Sequence, residues 1–171
     1  LRGMAADGAP FLGFLYAGLM ISPNGDIKVL EFNARMGDPE TQPILFRLES
    51  DLVDLLDAAL DGRLQQTPVQ WNPQPALGVV LAAAGYPGTV RKGDVIAGLD
   101  ADLGTAKVFH AGTAAAGDAV ITAGGRVLCV VARGDSLAQA GEQAYRAVEK
   151  IRWDGLQYRR DIGHRALQRD S

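Results

Sequence analysis

The sequence is short of the residues that carry most soluble redox and metal chemistry. It holds one cysteine and two histidines in 171 residues. Cys129 has no partner in the chain for a disulfide, and a thiolate metal site is excluded. It sits in the apolar run RVLCVVA and is expected to be a small core residue, in keeping with a reducing cytosol. Strong positive charge is also lacking. The formal net charge is -3, and the basic residues are scattered until a cluster near the end, which argues against a nucleic-acid backbone as partner. Nor is there a long apolar run. FLGFLYAGLMI, residues 11–21, has 11 residues, whereas a bilayer-spanning helix needs about 20. No basic leader precedes it and no small-residue cleavage site follows, so a buried strand is expected there. Internal repeats, low-complexity tracts, a Gly-rich phosphate loop and Ser/His/Asp or Cys/His sets are absent as well.

What is present is ordinary globular material. Apolar residues make up 47% and charged residues 22%, which supports a packed core and excludes wholesale disorder. The length suits one ordinary domain or two small ones. LRGMAADG resembles the end of a helix stopped by Gly8, so the chain is expected to be a piece of a longer one. Residues 11–21 and 27–33, joined by Ser22-Pro23-Asn24-Gly25-Asp26, predict a β-hairpin. Pro43 suits the first turn of a helix, and Leu45, Leu48, Leu52, Leu55, Leu56 and Leu60 recur at helical spacing up to Gly62. The acidic residues Glu49, Asp51, Asp54 and Asp57 form its solvated face. Ser50 is placed to cap a fresh helix, so the run is either one helix or two end to end.

Residues 65–75, QQTPVQWNPQP, carry three prolines and no periodicity, and are expected to be a linker pinned by Trp71. Beyond them, strands are predicted over 77–83, 94–98, 106–111, 119–122 and 126–132, with AGGR as a tight hairpin turn between the last two. Gly85-Tyr86-Pro87-Gly88 is a further turn. A helix follows, with Ser136 and Gln139 as a capping box and Leu137, Ala140, Ala144, Val148 and Ile151 as its apolar stripe. The fold class is α+β: a mostly antiparallel sheet with one main helix packed on it.

The stretch VLEFNARMGDPETQP carries the chemistry. Alternate strand residues share a face, so Glu31, Asn33 and, if the strand runs on, Arg35 point one way while Leu30 and Phe32 point the other. A carboxylate and an amide oxygen are hard ligands suited to Mg²⁺ or Mn²⁺. Arg35 beside such a metal is placed to neutralise a phosphate. An E-x-N pair alone is more often an exposed strand edge. Its setting argues otherwise: apolar neighbours, then a loop stiffened by Gly37 and Pro39 and armed by Asp38, Glu40, Thr41 and Gln42. The acidic members suit an amine or sugar hydroxyls.

The stretch YAGLMISPNGDIKVLEFNARMGDPETQPIL resembles the end of the ATP-grasp domain of the phosphoribosylamine–glycine ligases, or glycinamide ribonucleotide synthetases. LGVVLAAAGYPG, KGDVIAGL, KVFHAGT, GGRVLCVVARG and RRDIGHRAL resemble the C-terminal domain of that family, in order and at family-like spacing. The resemblance implies an ATP-grasp end over 1–64 (β-hairpin plus helices), a linker over 65–75 and a C-terminal α+β domain over 76–171. It implies a cytoplasmic enzyme of purine biosynthesis that joins glycine to 5-phosphoribosylamine through a glycyl phosphate, consuming ATP. Mg²⁺ or Mn²⁺ would be held by Glu31 and Asn33, with Arg35 catalytic at the transferred phosphoryl group and Asp38 and Glu40 orienting glycine or 5-phosphoribosylamine. Leu19 and Leu30 would line the adenine pocket or pack in the core. YAGLM lacks the additional acidic metal ligand of many ATP-grasp enzymes, as it does in this family.

The implied partners are these small molecules and the N-terminal portion of the same enzyme, with no nucleic acid and no membrane. Without that portion the piece is expected to be inactive. His110 is either a substrate contact or a satisfied core or edge residue; His164 is expected on a docking surface, and Arg159, Arg160, Arg165 and Arg169, interrupted by Asp161 and Asp170, on a solvated C-terminal helix. Two other readings stand beside the first: a non-catalytic nucleotide- or protein-binding module, and an ATP-grasp ligase for another carboxylate.

Overall fold

A computed structural model describes residues 1–168, so Arg169 and Asp170 of the basic tail lie outside the described residues. The chain forms two compact units, Leu1–Thr41 with Leu48–Trp71, and Gln42–Arg47 with Asn72–Ser171.

In the first unit, α1 (Arg2–Ala6) ends before Gly8, whose φ of 75° is open to glycine at no steric cost. β1 (Tyr16–Ile21) and β2 (Ile27–Asn33) pair antiparallel. Their turn is closed by the Ser22 amide donating to the Asp26 carbonyl and the Asp26 amide donating to Ser22 Oγ at 3.0 Å. Tyr16 lies opposite Asn33 and Gly18 opposite Glu31; the register then slips, leaving Leu30 as the extra residue of a bulge. The strand expected over 11–21 is therefore shorter, and it is not buried. Gly18 alone is buried in β1, while Leu19, Ile21, Ile27, Val29, Leu30 and Phe32 are exposed. A two-stranded ribbon cannot cover its own faces.

Of the two arrangements open for the helical run after the loop, the structure has two helices, α2 (Thr41–Arg47) and α3 (Leu52–Leu60). Asp51, not Ser50, caps α3: its side chain accepts from the Val53 amide at 2.7 Å. Ser50 Oγ instead accepts from the Gln70 amide at 2.7 Å. Trp71 does tie down its segment, but through a backbone bridge to Leu48 with the indole half exposed.

The second unit is built on a three-stranded antiparallel sheet of order β3 (Ala76–Ala82), β7 (Arg126–Arg133), β4 (Lys107–His110). β7 is central and all six of its inner residues are buried, Cys129 among them. α4 (Leu137–Val148) packs on β3 and β7. Its buried Ala140, Ala144 and Ala147 let the helix approach Leu77, Val79, Leu81, Leu128 and Val130 closely. Ser136 accepts from the Gln139 amide at 3.2 Å, and Gln139 Oε1 accepts in return from the amide of Asp135 at 2.6 Å. Phe46 meets Phe109 edge-on with centroids 6.3 Å apart, and the Arg133 guanidinium lies 4.6 Å from the Phe46 ring centre. α5 (His164–Leu167) is the last described element.

Two expectations about this unit are corrected, and it holds one strand that the sequence pattern does not predict. Residues 94–98 form no strand; they make two isolated bridges, Val95 to Ile121 and Ala97 to Arg152. β5 (Thr113–Ala116) pairs with β6 (Ala119–Thr122) although its TAAA sequence has weak strand propensity, because Gly117 at φ 58° closes a tight turn. AGGR is no hairpin turn, since β6 pairs with β5 while β7 pairs with β3 and β4. The backbones part there at two glycines so close that a Cβ on Gly112 would lie 2.6 Å from Gly124 Cα.

Candidate functional site

β2 delivers Glu31 and Asn33 to the same face, as the alternation predicts. Asn33 Nδ2 donates to Glu31 Oε1 at 3.0 Å. That contact engages the amide nitrogen and one carboxylate oxygen, and leaves Asn33 Oδ1 and Glu31 Oε2 outside it. Gly18, across the ribbon, makes room: a Cβ there would stand 3.1 Å from Glu31 Cγ. Among the described residues no group of three or more His, Cys, Asp and Glu side chains could hold a metal. The donor set is therefore one carboxylate and one amide. It fits a hard divalent ion that completes its shell with water and phosphate oxygens, and it does not fit zinc.

The strand does not run on to Arg35. β2 ends at Asn33, so Arg35 is not on the strand face, and its exposed guanidinium donates to the Met36 carbonyl at 2.9 Å. Asp38 precedes Pro39 through a cis peptide bond and is exposed. Glu40 is half-buried and takes a hydrogen bond from the hydroxyl of Tyr16, 3.3 Å from Oε1. Sequence reasoning missed Tyr16. The hairpin register held the signal, because it sets Tyr16 opposite Asn33. The Glu40 carboxylate raises the Tyr16 phenol above its ordinary pKa, helped by partial burial, the shared hydrogen bond and Glu31, while Arg35 acts in the other direction. Tyr16 thus feels both the Glu–Asn pair and the GDPE loop.

Leu19 and Leu30 are exposed on adjacent strands. In the second unit His110 ends β4 with Nδ1 3.0 Å from Thr113 Oγ1, and lines an open cleft with Lys107, Arg133 and Phe46. His164 Nδ1 lies 2.8 Å from the Asp161 carbonyl. Asp161 pairs with Arg159 at 2.7 Å, and that hydrogen bond holds its carboxyl below the usual range.

The model for the phosphoribosylglycinamide synthetase C domain matches residues 76–165, more than half of the chain. The chain belongs to the phosphoribosylglycinamide synthetase family. The model for the ATP-grasp (A) domain of the same family matches residues 1–41, which contain Tyr16, Glu31, Asn33, Arg35 and the GDPE loop. The resemblance carried by the motifs is therefore borne out. Relatives agree. The phosphoribosylamine–glycine ligase of Allochromatium vinosum is 60% identical over 171 residues, 99% of this chain and 40% of its own length. That of Neisseria meningitidis serogroup A is also 60% identical over 171 residues and is covered to the same 40%. The chain thus spans about two fifths of these synthetases. The solved phosphoribosylamine–glycine ligase of Thermotoga maritima superposes with a TM-score of 0.82 at 37% identity, over 94% of this chain and 39% of that one. N5-carboxyaminoimidazole ribonucleotide synthetase from the same organism shares the fold, with a TM-score of 0.56 at 15% identity.

Proposed function

We propose that these residues are part of an ATP-dependent ligase that joins glycine to 5-phosphoribosylamine in purine biosynthesis. The observation that carries this reading is the 3.0 Å contact that sets Glu31 and Asn33 side by side in the matched ATP-grasp segment. Residues 1–64 act as the end of the ATP-grasp domain, 65–75 as linker and 76–171 as the C-terminal domain. Glu31 and Asn33 would hold Mg²⁺ or Mn²⁺, which would supply charge stabilisation to the phosphoryl group being transferred. Arg35, unengaged by any carboxylate among the described residues, swings from the Met36 carbonyl to the transferred phosphoryl group and offsets its charge. The glycine carboxylate receives the γ-phosphoryl group and ADP leaves. The amine of 5-phosphoribosylamine then attacks the carbonyl carbon of glycyl phosphate, expelling phosphate and losing a proton. Asp38 and Glu40 orient these substrates. No described helix is long and apolar enough to cross a membrane, and a cytoplasmic setting fits the substrates.

The test is release of ADP by the full-length protein with glycine and 5-phosphoribosylamine. Activity is expected in the native enzyme and loss of at least a hundredfold in kcat for Glu31→Ala, on the scale of transition-state charge stabilisation. Turnover only with a different carboxylate, or none with an intact fold, would replace this reading by one of its rivals.

A further inference from the structure

The Tyr16 hydroxyl points at the one acidic side chain of the GDPE loop that is half-buried. Its position is not accidental to the packing around it. Tyr16 opens β1 opposite Asn33, so its ring stands on the strand pair that carries Glu31. The ring edge passes over Gly37, where a Cβ would lie 2.8 Å from Tyr16 Cε2 and 2.3 Å from Glu40 Oε2. Gly37 is buried and bare, and Glu40 folds back across it. Two features thus fix one carboxylate: a phenol donating to Oε1 and a backbone floor beneath Oε2. A flexible glutamate needs no such arrangement merely to be solvated, and fixing it costs side-chain entropy.

We infer that Tyr16 is a positioning residue that holds Glu40 ready for the ammonium group of the amino-acid substrate. This rests on the ligase reading above and deepens it. A carboxylate meets an ammonium with opposite charge as well as a hydrogen bond, and a sugar hydroxyl with a hydrogen bond alone, which favours the amino acid over the sugar as the group bound there. Oε1 is committed to Tyr16, so the substrate must meet the remaining acceptor directions of the carboxylate. Freed from the phenol, Glu40 would sample several rotamers, and the ammonium would find it correctly placed for a fraction of the time.

The experiment uses the full-length enzyme and steady-state kinetics with each substrate varied in turn. Tyr16→Phe removes only the hydroxyl and keeps the ring over Gly37. The expected result is a KM for glycine raised about tenfold, matching a lost hydrogen bond to a charged group. The KM for ATP, the KM for 5-phosphoribosylamine and the melting temperature stay unchanged. In a Glu40→Ala background, where no carboxylate remains to position, Tyr16→Phe is expected to add nothing further. A merely structural tyrosine would move all three KM values or the melting temperature and would act in both backgrounds. Any of those results, a shift confined to ATP or 5-phosphoribosylamine, or an unchanged glycine KM, overturns the inference while leaving the ligase reading standing. A native enzyme with no ligase activity overturns both.

Discussion

At the scale of single residues, the site depends on atoms that are left out as much as on those supplied. Gly18 faces Glu31 across the hairpin, and a methyl group there would press on Glu31 Cγ at 3.1 Å. Gly18→Ala in the full-length enzyme is therefore expected to weaken its apparent affinity for Mn²⁺ by about tenfold or more, the range seen when groups supporting a metal ligand are disturbed. A Mn²⁺ titration of activity checks it, with the melting temperature as control. In the second unit, the Arg159 hydrogen bond lowers the Asp161 pKa. A depressed carboxylate favours folding above its unfolded pKa and loses that contribution as pH falls through its folded value. Arg159→Ala should move the Asp161 titration, followed by carboxyl NMR, to higher pH. Acid unfolding should then depend less steeply on pH below the usual carboxylate range.

At the scale of elements, caps and turns separate what local pattern conveys from what pairing decides. Asp51 accepts from the Val53 amide at the start of α3, so Asp51→Ala should cost about 0.5–2 kcal/mol in denaturant unfolding, and Asp51→Asn should recover most of it. The sequence pointed to the neighbouring Ser50, since either residue type caps equally well. Only the long-range bond from the Gln70 amide to Ser50 Oγ removes it from that role. The same division holds for the strands. β3, β6, β7 and α4 were legible because their apolar period or run is strong and their caps are local. β5 was not, because four residues reading TAAA become a strand only through β6. The candidate site was legible for a similar reason: Glu31 and Asn33 share a face by the period of the strand alone. Arg35 shares that face only if the strand runs on, and β2 ends at Asn33, where the sequence pattern also ends it. Tyr16 went unseen because its role arises from register and from a loop folding back, neither of which is written in a single stretch.

At the scale of the whole molecule, the buried apolar core among the described residues lies almost entirely in the second unit. Leu128 is fully buried at the middle of the core, against α4 and between β3 and β4. Leu128→Ala should cost about 2–5 kcal/mol through lost contacts and the cavity left behind, measured by denaturant unfolding of the enzyme. The first unit is the opposite case: Leu30 and Phe32 are each 63% exposed on the strand that carries the candidate ligands. The central placement of β7 also has a consequence for how the chain comes into being. β3 emerges from the ribosome long before β7, its hydrogen-bonding partner, has been translated. At a synthesis rate of about 5–20 residues per second, that delay lasts on the order of seconds. For that interval an apolar strand has no mate, and this is the moment at which chaperones have most to protect.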